Sequence, residues 1–185
     1  MRIGVPREPA DQPRAAASPQ TVERMIRLGY EVLVERGAGE RAQFPDDAYE
    51  AAGAQPAGGA RVWGCDVVLS ASAPGEEHLA LMSRGAVLIC RLDPARRPDL
   101  LEQLRERGIT CLALDVVPRI SRTQSLDVLS SQANLAGYRA VIEAAAHLGR
   151  LFSGQVTAAG KFSPATVYVI GAGVAGLSAI GTAYS

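Results

Sequence analysis

Short apolar runs alternate with helical stretches through the first 115 residues, and this alternation constrains the fold more than any other property of the chain. Arg2 to Val5 is a strand candidate ended by Pro6. Ser18 then supplies an N-cap with Pro19 in the first helical position. The helix that follows is expected to bury Val22, Met25, Ile26 and Leu28 before Gly29 stops it. Tyr30 to Glu35 alternates as a second strand, and further strands are read at Asp66 to Ala71, Ala86 to Cys90 and Ile109 to Leu114. Helices lie between them at Asp46 to Ala52, Glu76 to Arg84 and Pro98 to Arg107, with Gly53 and Gly108 closing the first and last. Five strands joined by such helices predict a mostly parallel sheet covered on both faces, which is a Rossmann-like, doubly wound α/β domain.

After Asp115 the pattern changes. Val116 to Ser130 is polar without a clear period and reads as a loop leading into a helix. Ser131 to Arg150 is a long, alanine-rich helix suited to linking two domains. Gly154 to Ser163 reads as another loop. Thr166 to Ile170 is β-branched and aromatic, the mark of a new strand, and Gly171 opens a helix running to the end. The expected organisation is therefore an N-terminal α/β subdomain over residues 1–130, a linking helix over 131–150, and the start of a second Rossmann domain over 151–185.

Composition excludes several classes. Nineteen basic residues balance nineteen acidic ones, and no basic cluster hides in the average, so a nucleic-acid-binding surface is not expected. With 48% hydrophobic residues and no net charge, the chain is not disordered. Cys65, Cys90 and Cys111 are odd in number and widely spaced, which predicts buried reduced thiols and no metal site. The start is too short an apolar run for a signal peptide, and a cytoplasmic location is expected. Phe162 to Ser185 carries no charge and is long enough to span a bilayer, but Pro164, four glycines and a strand pattern argue against a membrane helix.

Two groups of residues carry chemistry. Gly171-Ala172-Gly173-Val174-Ala175-Gly176 matches G-x-G-x-x-G between a predicted strand and a predicted helix. There Gly171 permits the tight turn, Gly173 lets backbone approach a pyrophosphate, and Gly176 allows close strand–helix packing. The helix N-terminus offers unpaired N–H groups to the anion. The second group is Arg119, Gln124, Asp127 and Ser130. If the turn before the long helix is helical, Gln124, Asp127 and Ser130 share a face extended by Asn134 and Tyr138. A carboxamide, a carboxylate and a hydroxyl on one side suit recognition of another amide. Ordinary helix-start capping by Asp127 and Ser130 accounts for the same spacing. His78 beside two glutamates and His147 after an alanine run read as surface or packing residues.

The segment PRISRTQSLDVLSSQANLAGYRAV, from Pro118 to Val141, resembles the proton-translocating NAD(P) transhydrogenase family, in the NAD(H)-binding domain of its alpha subunit. The similarity extends through Thr157 to Lys161 into VYVIGAGVAGLSAIGTA and includes the opening MRIGVPRE. The resemblance implies two Rossmann-like subdomains with NAD(H) in the cleft between them. It places Arg119, Gln124, Asp127, Leu129 and Ser130 at the nicotinamide, with Gln124 and Asp127 in the catalytic role. It places Gly171, Gly173, Val174 and Gly176 at the pyrophosphate. It further implies hydride transfer from NADH to NADP⁺ held on a partner domain, coupled to proton movement through a membrane domain. A homodimer is implied, peripheral to the inner membrane through partner subunits. Cofactors carry such chemistry, which suits a chain without a nucleophile–base pair.

The family domain is considerably longer, so the second subdomain is expected to be incomplete. Its ribose-binding acid is expected beyond Ser185, and this chain alone is expected to be inactive. Alanine dehydrogenase, a relative in fold, is the alternative. It needs a lysine on the third strand and a histidine after the fourth, where this chain reads LSASAP and LICRLDP. A non-catalytic interaction or dimerisation module is the remaining class.

Overall fold

Six parallel strands form the sheet of the first of two units, Met1–Pro118. The computed structural model describes residues 1–184. The chain begins with β1 (Arg2–Val5), α1 (Pro19–Arg27), β2 (Glu31–Glu35), α2 (Asp46–Ala51) and β3 (Gln55–Ala57). It continues through α3 (Gly59–Trp63), β4 (Val67–Leu69), α4 (Glu76–Leu79), β5 (Val87–Cys90), α5 (Pro98–Glu106) and β6 (Thr110–Ala113). The strand order is β3-β2-β1-β4-β5-β6, with Ile3 paired to Val32 on one side and to Val67 on the other. The chain thus winds outward from β1, crosses back to β4, and winds outward again. A doubly wound sheet of this kind has its switch point between β1 and β4.

Alternation along the strands divides the core. Ile3, Val5, Val32 and Val34 pack with Val22 of α1 and Tyr49 of α2. Val68, Leu88 and Cys90 pack with Trp63, Leu79 and Leu104. Each fully buried aliphatic side chain contributes about 1.5–3 kcal/mol. Ser18 caps α1 by accepting from the Thr21 amide, with Pro19 first in the helix. Cys65 and Cys90 are buried, Cys111 is half-buried, and all three are free thiols.

The α/β doubly wound class expected from the sequence is the class observed, with local differences. A sixth strand, β3, and helix α3 lie where no element is expected. Pro56 removes a donor from β3, which proline tolerates because β3 is an edge strand. Leu28 is 76% exposed rather than buried, because α1 ends at Arg27 and Leu28 is its C-cap. The β4 ladder stops at Leu69, where Ser70 to Ser72 turn to donate to Glu8. Helix α4 ends at Leu79, and the chain turns through Leu81 and Met82 instead of continuing to Arg84.

Tyr49 yields a pH prediction. Its hydroxyl donates to the Ala17 carbonyl at 2.8 Å. Burial, with the nearby Asp46 carboxylate adding to it, pushes its pKa up to about 12. The unfolded chain ionises this phenol near pH 10 and so gains stability there while the folded chain does not. The tyrosine contribution is therefore complete below pH 10 and lost between pH 10 and about 12. Urea midpoints measured from pH 9 to 12 are expected to fall, and the fall is expected to be shallower in Tyr49→Phe.

The second unit begins at Arg119. A 3₁₀ turn over Ser121–Leu126 leads to α6 (Val128–His147), then β7 (Gln155–Thr157), β8 (Gly160–Phe162) and α7 (Val174–Tyr184). The segment expected as a loop is an antiparallel hairpin, Gln155 facing Phe162 across the turn at Ala158 and Ala159. Thr157 stabilises that turn by accepting from the Ala159 amide. Thr166 to Ile170, expected as a strand, joins no ladder among the described residues, and a strand exists only where a neighbour accepts its hydrogen bonds. Among the described residues no helix is long and apolar enough to cross a membrane.

Candidate functional site

Helix α6 begins because Asp127 leaves the 3₁₀ turn at φ −77°, ψ 80° and places its carboxylate over the first helical turn. One carboxylate oxygen accepts from the Ser130 amide at 2.9 Å, and the other accepts from the Ser130 hydroxyl at 2.6 Å. The Ser130 hydroxyl and amide hold the Asp127 carboxyl below the usual carboxylate range, and the Arg119 charge adds to the effect. Asp127 thus performs the capping that its spacing allowed and orients Ser130 while doing so. The break at Asp127 also means that Gln124 and Ser130 do not share a continuous helical face. Gln124 is exposed, on the 3₁₀ turn.

The three motif glycines differ in circumstance. Gly171 has φ +98°, a conformation that side chains other than glycine rarely adopt. A Cβ on Gly176 would lie 2.0 Å from the Gly171 carbonyl oxygen, so no larger residue fits the closed turn. A Cβ on Gly173 would meet nothing within 4 Å. The Gly173 carbonyl accepts from the Leu177 amide, so α7 starts directly after it.

Between these two groups lies a cavity of about 480 Å³. Arg119, Leu129, Ser130 and Ala133 line it from one side, and Ile170, Gly171 and Gly173 to Gly176 from the other. Seven of the expected residues are thus brought together: Arg119, Leu129, Ser130, Gly171, Gly173, Val174 and Gly176. Gln124 and Asp127 do not line it, though Asp127 acts on it through Ser130. Ala133, Ile170 and Ala175 line it without having been singled out as site residues in the sequence, because plain apolar side chains carry no chemical signal. One basic side chain, two helix starts and an unobstructed glycine make an anion-accepting, mixed-polarity cavity.

The first unit holds a cavity of about 580 Å³ at the carboxyl ends of β1 and β4, lined in part by Glu8, Trp63, Ser70, Ser72 and His78. His78 stacks on Trp63 with ring centroids 4.5 Å apart, which is the packing role expected of it. His147 sits at the end of α6 against the Glu143 carbonyl. Among the described residues no cluster could hold a metal ion.

Two family models match the chain, and they meet within α6 rather than at the start of the second unit. The model described as "Alanine dehydrogenase/PNT, N-terminal domain" matches residues 4–136, and its C-terminal counterpart matches residues 140–185. The chain belongs to the alanine dehydrogenase/PNT family. It is 50% identical over 186 residues to the NAD(P) transhydrogenase subunit alpha of Haemophilus influenzae, covering 100% of this chain and 36% of that protein. The crystal structure of transhydrogenase from Sinorhizobium meliloti superposes with a TM-score of 0.93 at 40% identity, over 100% of this chain and 54% of that one. An L-alanine dehydrogenase structure gives 0.84 at 30% identity, over 100% of this chain and 52% of that one. The alanine dehydrogenase/PNT chain described here therefore spans about a third to a half of the length of these relatives.

Proposed function

We propose that this chain is the NAD(H)-binding part of a proton-translocating NAD(P) transhydrogenase. The observation that carries this reading is the single cavity joining the Gly171–Gly176 turn to Arg119 and Ser130. The residues present suit a dinucleotide. The start of α7 and the open space over Gly173 would receive the pyrophosphate, and Arg119, Leu129 and Ser130 would hold the nicotinamide end. Bound NADH would supply the hydride for NADP⁺ carried on a partner domain. This chain contributes placement: Asp127 fixes Ser130, which lines the nicotinamide end of the cavity.

The reading includes an N-terminal α/β subdomain, a linking helix and the first part of a second Rossmann domain. It also includes assembly as a homodimer with an NADP(H)-binding subunit and a membrane domain, on the cytoplasmic side of the inner membrane. Alanine dehydrogenase activity has less support. The loop after β4 presents Ser70 and Ser72, both engaged with Glu8, where a lysine would be needed. The loop after β5 presents Leu92 and Asp93, their amides donated to the Asp115 carboxylate, where a histidine would be needed.

The test is a fluorescence titration of the full-length chain with NADH and NADPH. NADH is expected to bind at least about tenfold more tightly, a difference of about 1.4 kcal/mol. Equal affinities overturn the assignment.

A further inference from the structure

We propose that the crossing of α6 over α7 at Gly137 sets the spacing between the two ends of the cavity, so that Gly137 is a positioning residue selecting an intact dinucleotide over its ADP-ribose part. The inference rests on the NAD(H) reading and adds to it the element that measures the ligand. Ser130, Ala133, Gly137 and Val141 follow one another at helical spacing, so they form one stripe along α6. The first two line the cavity, and the last two are buried. The same stripe that forms one wall therefore also seats the helix carrying the opposite wall.

That seat has no slack. A Cβ on Gly137 would lie 2.1 Å from the Ala175 carbonyl oxygen and 2.8 Å from its carbon, both backbone atoms. Ala175 lies inside the glycine turn, so its backbone cannot retreat without moving Val174 and Gly176, which line the cavity. Glycine is among the poorest helix formers, and it interrupts an otherwise alanine-rich helix here. Close approach is the compensation for that local penalty. A second contact lies one turn along α7, where the Ser178 hydroxyl donates to the Asn134 carbonyl at 2.8 Å.

A ligand held at one end only is indifferent to this spacing, whereas a ligand held at both ends depends on it. The experiment is calorimetric titration of the full-length chain with NADH and with ADP-ribose, in wild type and in Gly137→Ala. NADH affinity is expected to fall about tenfold or more while ADP-ribose changes by less than about threefold, since displacement of an ångström can cost that much at a two-point site. Should Gly137→Ala fail to fold, Ser178→Ala removes the second contact without adding an atom. A loss of about two- to fivefold confined to NADH is then expected, as for one hydrogen bond, with the wild-type ratio restored in Ser178→Thr. Equal losses for both ligands, or no loss for either, overturn the spacing role and leave the NAD(H) reading standing. A wild-type chain that binds neither ligand overturns both.

Discussion

Gly173→Ala is expected to weaken NADH binding by at least about 100-fold while leaving the unfolding midpoint near that of wild type, because charge-assisted hydrogen bonds to the start of α7 contribute about 1.5–3 kcal/mol each. The added methyl group meets nothing within 4 Å in the protein itself, so folding has no reason to change. The space it fills is the space a pyrophosphate would need. Gly176→Ala provides the contrast. Its methyl group would lie 2.0 Å from the Gly171 carbonyl oxygen, so the turn itself must open and stability must fall together with binding. Parallel measurement of NADH affinity and thermal midpoint separates the two. Wild-type affinity in Gly173→Ala would remove the pyrophosphate from this turn.

The second large effect concerns stability of the first unit. Glu8 is 5% exposed, yet its carboxylate accepts from the Ala71 amide at 2.6 Å, the Ser72 amide at 3.0 Å and the Ser70 hydroxyl at 3.1 Å. This carboxylate after β1 ties down the loop after β4 across the switch point of the sheet. Glu8→Leu would leave the Ala71 and Ser72 amides without their acceptor, at about 1–3 kcal/mol for each one that finds no water, while the Ser70 hydroxyl keeps the Ser72 carbonyl at 2.7 Å. A loss of about 3 kcal/mol corresponds to a midpoint about 6–12 °C lower for a chain of this size. A calorimetric scan checks it, and a shift of only a degree or two would mean that water replaces Glu8 at little cost.

Carboxylate ties of this kind recur along the same edge of the sheet. Glu35, the last residue of β2, accepts from the Arg7 amide, and Asp115 after β6 accepts from the amides of Leu92 and Asp93. None is visible from sequence spacing, because donor and acceptor are separated by 22 to 64 residues and meet only when neighbouring strands align. The helix stops at Gly29, Gly53 and Gly108 were visible, because positive φ at the end of a helix is a local demand. β3 was not, since Gln55-Pro56-Ala57 lacks the β-branched residues that mark a strand and pairs only because Val34 lies beside it.

The candidate site divides in the same way. The glycine turn and the block from Arg119 to Ser130 were legible as residue types at fixed spacing, and the turn in particular is local chemistry. The sequence by itself determined the alternation of elements, the helix caps and the need for glycine at position 171, because each depends on neighbours within a few residues. Only the tertiary structure decided that Ser130 lines the cavity while Gln124 stays outside it. It also decided that Gly137 must be small, because the Ala175 carbonyl it faces is far away in sequence. Packing at that distance obeys volume and contact, and neither leaves a periodic trace in the sequence.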